Sequence, residues 1–376
     1  MRPMAKRVLI FSTAYLPLIG GAELAVKELT DRLTDFEFDL ITAKLKPDLK
    51  SVEQIGRVKV YRLGLGIKIL DKLLLPFLGS IKTWQLDRKN NYLAFWGIMA
   101  TFASGAAYIH NIIRFWSSVP IVLNLQEGDS EAHLKFRWFG LIGLSWWLAL
   151  KFTTHLTVIS NYLAIRARAY GYRGPVTVLP NGVDLKTFHC DQEKLNDNEE
   201  KIIFTSSRLV KKNAVDVIVN SLSQLSNNFK LRIAGVGEEE KVLKTLVKDL
   251  GVGERVIFLG NLTPAQVAQE LQQASIFTRP SRSEGLGNSF LEAFASGVPV
   301  IATPVGGIPD FLKDNETGFL VPVDNADALA EKIKFIANPQ NKEQVWSITN
   351  AARDLVRQTY SWDTLAPQMA QILNQL

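Results

Sequence analysis

Residues 282 to 310 read RSEGLGNSFLEAFASGVPVIATPVGGIPD, and this stretch decides how the chain is organised. Gly285 and Gly287 suit a loop whose backbone comes close to a ligand, because glycine tolerates conformations closed to other residues. The apolar spacing Phe290, Leu291, Phe294, Ala295 predicts a helix that either Asn288 or Ser289 can cap, and a helix start offers free N–H groups to a phosphate. Glu284 precedes that helix and Glu292 lies about a turn into it. One carboxylate is thus placed to meet the far end of a ligand and the other its near end; a sugar hydroxyl and a ribose are natural partners. Gly297, with Pro299 next but one, ends the helix. Val298 to Ala302 then reads as a short buried strand before a second pair, Gly306 and Gly307. Such strand ends hold ligands. Two surface charges flanking an ordinary βαβ unit would explain the carboxylates but not two glycine clusters in this order.

Two acidic residues separated by seven others, then a small-residue helix end, PVI and GGIP, resemble the donor-site signature of retaining glycosyltransferases of family 4, which have the GT-B fold. The resemblance implies an α/β chain of two Rossmann-like, doubly wound domains facing a central cleft. An acceptor-binding domain is expected over residues 1–186, a linker over 187–200 and a nucleotide-sugar-binding domain over 201–360. The final segment, 361–376, is expected as a helix crossing back to the first domain. Donor contacts are implied for Gly235, Gly285, Leu286, Gly287, Asn288, Ser289 and Glu292, with Glu284 acting catalytically at the sugar. Gly20 and Gly21, in GGAE after the first strand, resemble the family's first-domain loop, where backbone N–H groups at a helix start approach the donor diphosphate.

The segment TSSRLVKKNAVDVIVNSL, 205–222, resembles the family's strand-to-loop segment. Arg208 matches the arginine that contacts the diphosphate, and a bidentate guanidinium suits a leaving group gaining negative charge. Aligning on Val215 and Asp216 puts Asn213 and Ala214 where Lys-Gly is usual, so Lys212 must stand in, with Lys211 the other candidate. A second departure lies in NLQEGD, 124–129: many relatives carry a histidine near the sugar where this chain has Gln126. Glutamine exchanges no proton and only positions a hydroxyl or carbonyl. That fits a retaining transfer in which the departing phosphate takes the acceptor's proton. Glu127 and Asp129 either act in its place or serve as helix-capping or acceptor-binding acids.

With 376 residues, 47% of them hydrophobic, the chain is long enough for two cores. Its single cysteine, Cys190, excludes an internal disulfide and fits a reducing cytoplasm. The four histidines, His110, His133, His155 and His189, show no metal spacing and read as structural. MRPMAKRVLIFSTAYLP is basic and then only briefly apolar, too short for a signal-peptide core, so export is not expected. Residues 1–190 hold 24 Lys and Arg against 14 Asp and Glu, a net of +10, while the remainder holds 19 against 23, a net of −4. A basic half suits nucleic acid, a phosphate-bearing acceptor or an anionic membrane, and the apolar aromatic stretches beside these charges favour the membrane. The stretches are LDKLLLPFLGSIKTW at 70–84 and KFRWFGLIGLSWWLALK at 135–151; each is either interfacial or a helix packed in the core. Neither is long enough to span a bilayer, and the uncharged run 90–113, holding Asn90, Asn91, Ser104, His110 and Asn111, reads as a buried element.

Strands are expected at Val8 to Ser12, Phe36 to Ala43 and Val58 to Leu63, then a helical stretch from about Leu70 to Phe115 and a strand in VPIVLNLQEGD, 119–129. The second half alternates strand and helix from Lys201 to Thr278. By resemblance, the chain is expected to move a sugar with retention from a nucleotide diphosphate sugar to a hydroxyl of a glycan or lipid-linked acceptor. The expected setting is the cytoplasmic membrane face, in envelope polysaccharide or glycolipid synthesis, with neither metal nor further cofactor. A nucleotide-sugar epimerase on the same fold and a catalytically silent nucleotide-sugar binding module are the alternatives.

Overall fold

A computed structural model describes residues 6–18, 20–114, 118–126, 128, 141–190 and 199–376. Two compact units emerge: Met1–Asn181 together with Trp362–Leu376, and Gly182–Ser361. Residues 182–186, expected in the first domain, fall in the second unit, where the Val183 N–H donates to the Tyr360 carbonyl at 2.7 Å. Of the expected linker, 191–198 lies outside the described residues.

The first unit is built on an eight-stranded sheet: β1 (Lys6–Phe11), β2 (Phe36–Ala43), β3 (Val52–Ile55), β4 (Val58–Leu63), β5 (Tyr92–Ile98), β6 (Ile121–Leu125), β7 (His155–Val158) and β8 (Val176–Val178). Its order is β3-β4-β2-β1-β5-β6-β7-β8, parallel except for β3 against β4. Parallel strands covered on both faces read as unbroken apolar runs, and Val8, Leu9, Ile10 and Phe11 of β1 are fully buried. The same physics misleads over residues 70–115, where one long helical stretch is expected. The structure interrupts it: helix Lys68–Asp87, strand β5, helix Phe102–Ile113. YLAFWGI is a buried run too short to show a period, and its aromatic residues favour the strand. Short β3, on the edge, also escapes the sequence pattern.

The second unit carries a six-stranded parallel sheet: β9 (Lys201–Ser206), β10 (Phe229–Ala234), β11 (Val256–Gly260), β12 (Ile276–Arg279), β13 (Val300–Ala302) and β14 (Phe319–Leu320). The order is β11-β10-β9-β12-β13-β14. In both sheets the chain winds outward on one side of its first strand and then returns to the other side. Each sheet therefore has one reversal, between β1 and β5 and between β9 and β12, and such switch points open a crevice at the strands' carboxyl ends.

The last helix, Trp362–Asn374, packs Trp362, Leu365, Met369 and Leu373 into the core of the first unit. Asp363 accepts from Arg32 Nε at 2.7 Å on the same unit. Met369 is fully buried, so Met369→Ala is expected to lower stability by about 3 kcal/mol through lost transfer energy and the cavity left behind. Urea unfolding measures this; a loss below about 1 kcal/mol would place the helix outside that core.

Candidate functional site

The carboxyl edge of the second sheet brings four loops together, after β9, β10, β12 and β13. Two glycines permit it. Gly235, after β10, sits at φ +131°, and a Cβ there would lie 1.8 Å from the Ser207 carbonyl oxygen in the loop after β9. Gly306, after β13, sits at φ +57°, with a Cβ position 1.7 Å from the Glu284 carbonyl oxygen. No side chain fits either gap. Backbone hydrogen bonds close them: Leu209 N–H to Val236 O at 3.0 Å, and Gly307 N–H to Glu284 O at 3.3 Å.

Helix Asn288–Ala295 starts from this edge, and its cap is Gly287 at φ 90°, not Asn288 or Ser289; no side chain caps it. Ser289 is buried and accepts instead from Arg279 Nη1 at 3.0 Å. Sequence reading missed Arg279, which ends the buried strand β12. Its only advance signal was a charge at the end of the apolar run IFT. Only 7% exposed, Arg279 donates through Nη2 to Glu284 Oε2, while its guanidinium carbon lies 4.5 Å from the centre of the Phe290 ring. Glu284 Oε1 accepts from the Gly285 N–H at 3.0 Å. Both oxygens of Glu284 are thus held, and the carboxylate is oriented before any ligand arrives. Gly285 and Leu286 are buried, so Leu286 has only backbone to offer a ligand.

Glu292 differs. Its carboxyl makes no hydrogen bond or ion pair among the described residues. Although its surface remains partly open, surrounding protein strips water from the carboxyl and pushes its pKa up to about 7, against the opposing pull of Arg279.

In the loop after β9, Arg208 is exposed, and its guanidinium has no partner among the described residues. Asn213, standing where the family's lysine is usual, is buried and donates through Nδ2 to the Arg208 carbonyl at 2.7 Å, which fixes the loop. Ala214 follows at φ 53°. Arg282, a second residue missed from sequence, ties this loop to the Gly-rich one. Its guanidinium reaches both oxygens of Asp216, at 3.1 and 2.6 Å, and Asp324 at 2.6 Å, while its N–H donates to the Lys212 carbonyl at 2.7 Å. Lys212 is half-buried and Lys211 exposed.

In the first unit, Gly20 caps helix Gly21–Arg32 without a side-chain bond, and both glycines are exposed after β1. At the end of β6, Gln126 Oε1 accepts from Asn181 Nδ2 at 3.1 Å and Gln126 Nε2 donates to Asn124 Oδ1 at 2.7 Å. Asn124 Nδ2 in turn donates to Thr157 Oγ1 at 3.0 Å. None of these side chains exchanges a proton near neutral pH. Glu127 and Asp129 lie outside the described residues, as do His133, Lys135, Arg137 and Trp138. His110 is buried against Asp87 at 3.2 Å, its pKa lowered by burial, and His155 meets Thr177 at 2.9 Å. Among the described residues, no three His, Cys, Asp or Glu side chains gather as metal ligands would.

Two outcomes are expected. Gly306→Ala should cost at least about 2 kcal/mol in urea unfolding, since a Cβ cannot coexist with the Glu284 carbonyl; a neutral change would show that the two loops do not touch. For Glu292 the sign follows from its raised pKa: the folded state keeps the proton longer, so stability falls as pH rises from 4.5 through about 7. Glu292→Gln removes that loss, and relative to the parent it should gain up to about 3 kcal/mol at about pH 8 that is absent at about pH 4.5. A gap independent of pH would show an ordinary carboxylate.

Residues 19–187 match the family described as Glycosyltransferase Family 4, and residues 189–354 match Glycosyl transferases group 1. The chain is 30% identical over 239 residues to a GDP-mannose-dependent alpha-(1-6)-phosphatidylinositol monomannoside mannosyltransferase of Mycobacterium tuberculosis. The match covers 59% of this chain and 62% of that protein. Sucrose-phosphate synthase from Thermosynechococcus elongatus superposes with a TM-score of 0.85 at 22% identity, over 98% of both chains. Anabaena HepE in complex with UDP and glucose superposes with a TM-score of 0.78 at 20% identity, over 99% of this chain and 100% of that one. The two family matches meet near the boundary between the units, each sheet has the doubly wound order, and the solved relatives share the fold from end to end: the chain belongs to the family-4 glycosyltransferases of the GT-B fold.

Proposed function

We propose that this chain transfers a sugar, with retention, from a nucleotide diphosphate sugar to a hydroxyl of a glycan or lipid-linked acceptor. Its setting in this reading is the cytoplasmic face of a membrane, in envelope polysaccharide or glycolipid synthesis. The observation that carries the reading is at the β9/β12 switch point: the Arg208 guanidinium and the Glu292 carboxyl, neither with a hydrogen-bond partner among the described residues, beside a helix start that no side chain caps. A cation and a helix N-terminus suit a diphosphate, and a carboxylate suits the two hydroxyls of a ribose. The mannosyltransferase relative supports a lipid-borne acceptor through its name.

As the bond from C1 to the diphosphate oxygen breaks, negative charge grows on the leaving group, and Arg208, Lys212 and backbone N–H groups stabilise it. The acceptor oxygen forms the new bond to C1 on the face the leaving group vacates. The acceptor proton passes to the departing phosphate oxygen, a step that asks nothing of Gln126 beyond holding a hydroxyl. Glu284, oriented by Arg279 and the Gly285 N–H, meets the sugar. In this reading the cationic side chains do the neutralising, and no metal is required.

Transfer of radiolabel from GDP-mannose and UDP-glucose to a lipid extract tests the reading; nucleotide binding without any transfer would favour a silent binding module. Glu292→Ala is expected to weaken nucleotide binding in calorimetry by about 2 kcal/mol, the worth of a charged hydrogen bond, and unchanged affinity removes Glu292 from the ribose. Lys212→Ala is expected to lower turnover at least about 100-fold with the fold intact. If Lys211→Ala is the crippling change instead, the phosphate lysine is Lys211.

A further inference from the structure

Helix Lys68–Asp87 is amphipathic in the wrong sense for a protein in water. Its outward positions are large and apolar: Ile69 is 70% exposed, Phe77 62%, Ile81 57% and Trp84 49%, with Leu73 and Leu74 between them. Facing inward, Leu75 and Leu86 are the large apolar residues, and Gly79, Ser80 and Thr83 lie between them. Ordinary surface helices do the reverse. The inward side packs through small residues: a Cβ on Gly79 would lie 2.7 Å from the Ala106 Cβ, and one on Gly105 3.2 Å from Pro76. Close small-residue packing beneath an apolar outer face is how helices sit against lipid.

Charge on this helix is sorted the same way. Both of its acids are buried and occupied. Asp71 accepts from the N–H groups of Leu65 and Gly66 at 2.9 and 2.7 Å, and Asp87 holds His110 and Arg114. The charge the helix shows to solvent beside its apolar side chains is cationic: Lys68 is exposed, Lys72 and Lys82 are half-buried, and Arg88 follows with its guanidinium 4.6 Å over the Trp84 ring. Lys82 also lines a cavity of about 500 Å³ in which Arg57, Lys59 and Lys89 stand beside the acids Glu37 and Asp39. No described helix is long and apolar enough to cross a membrane.

We propose that helix Lys68–Asp87 lies in the plane of an anionic bilayer surface, its Ile69, Phe77, Ile81 and Trp84 face sunk among the acyl chains and its lysines at the phosphate level. Twenty residues make a rod about 30 Å long, enough to set the first unit on the membrane without spanning it. In the stretch 135–151, Trp146 is 1% exposed and packs against Tyr170, Trp147 is exposed with Lys151 over its ring, and Trp138 lies outside the described residues. This inference rests on the reading that the acceptor is presented at a membrane, but it is measured without donor or acceptor.

Full-length protein is floated with vesicles of mixed phosphatidylcholine and phosphatidylglycerol, and with phosphatidylcholine alone. The parent is expected to float with the mixed vesicles, more weakly as salt rises. Phe77→Asp with Ile81→Asp is expected to cut the vesicle-bound fraction at least about tenfold, with circular dichroism and melting unchanged, because both positions are exposed. In the parent, brominated lipid should quench fluorescence that Trp84→Phe lacks. Equal flotation of parent and double variant overturns the proposal, as does loss of no quenching in Trp84→Phe. Self-association of the parent that the two aspartates abolish, without flotation, overturns it in favour of a second copy on this face. A protein that floats but transfers sugar only to soluble glycans refutes the acceptor reading and leaves the docking helix standing.

Discussion

Backbone-to-backbone contact at the carboxyl edge of the second sheet is the constraint on which the rest of the site depends. Gly235 against Ser207 and Gly306 against Glu284 bring neighbouring loops closer than any side chain would allow. Their positive φ values also fall where other residues are strained. Once those loops touch, the segment carrying Arg208 and the segment carrying Glu284 have little freedom left, and side chains only refine what the backbone has set.

The charges divide into those that build and those left over. Arg279 and Arg282 build. The first, buried, orients Glu284 and Ser289; the second ties Asp216, Asp324 and the Lys212 carbonyl into one brace. Removing one member of a buried pair such as Arg279 and Glu284 costs about 3–5 kcal/mol, because the other is left charged and without water. Arg208 and Glu292 are left over: neither has a partner among the described residues, and the pKa of Glu292 is raised because its water has been removed and not replaced. Polar groups left in that condition are the ones a ligand can satisfy.

The first unit carries a different asymmetry. Its core is closed by the terminal helix, while helix Lys68–Asp87 turns its large apolar side chains outward. At the end of β6 an amide relay runs from Asn181 through Gln126 and Asn124 to Thr157. Every member of that relay is neutral near neutral pH.

Sequence alone determined the α/β class, the division into two doubly wound halves and the order of the motifs from Gly20 to Gly307, because period, glycine placement and apolar runs are local properties of a chain. It also singled out Glu284, Glu292 and Arg208, since each sits in a glycine-marked loop or at a strand end. Tertiary structure decided the rest. Strand β5 was indistinguishable from helix because a strand buried on both faces has no period to read. Arg279 looked like the end of a strand until burial put it between Glu284 and Ser289, and Arg282 acquired its role from Asp216 and Asp324, far away in sequence. The capping of helix Asn288–Ala295 passed to Gly287 once Arg279 claimed Ser289. The sense of helix Lys68–Asp87 was likewise beyond the pattern, which shows that a helix has an apolar side but not which side the core takes; that follows from the small residues that let it approach its neighbour.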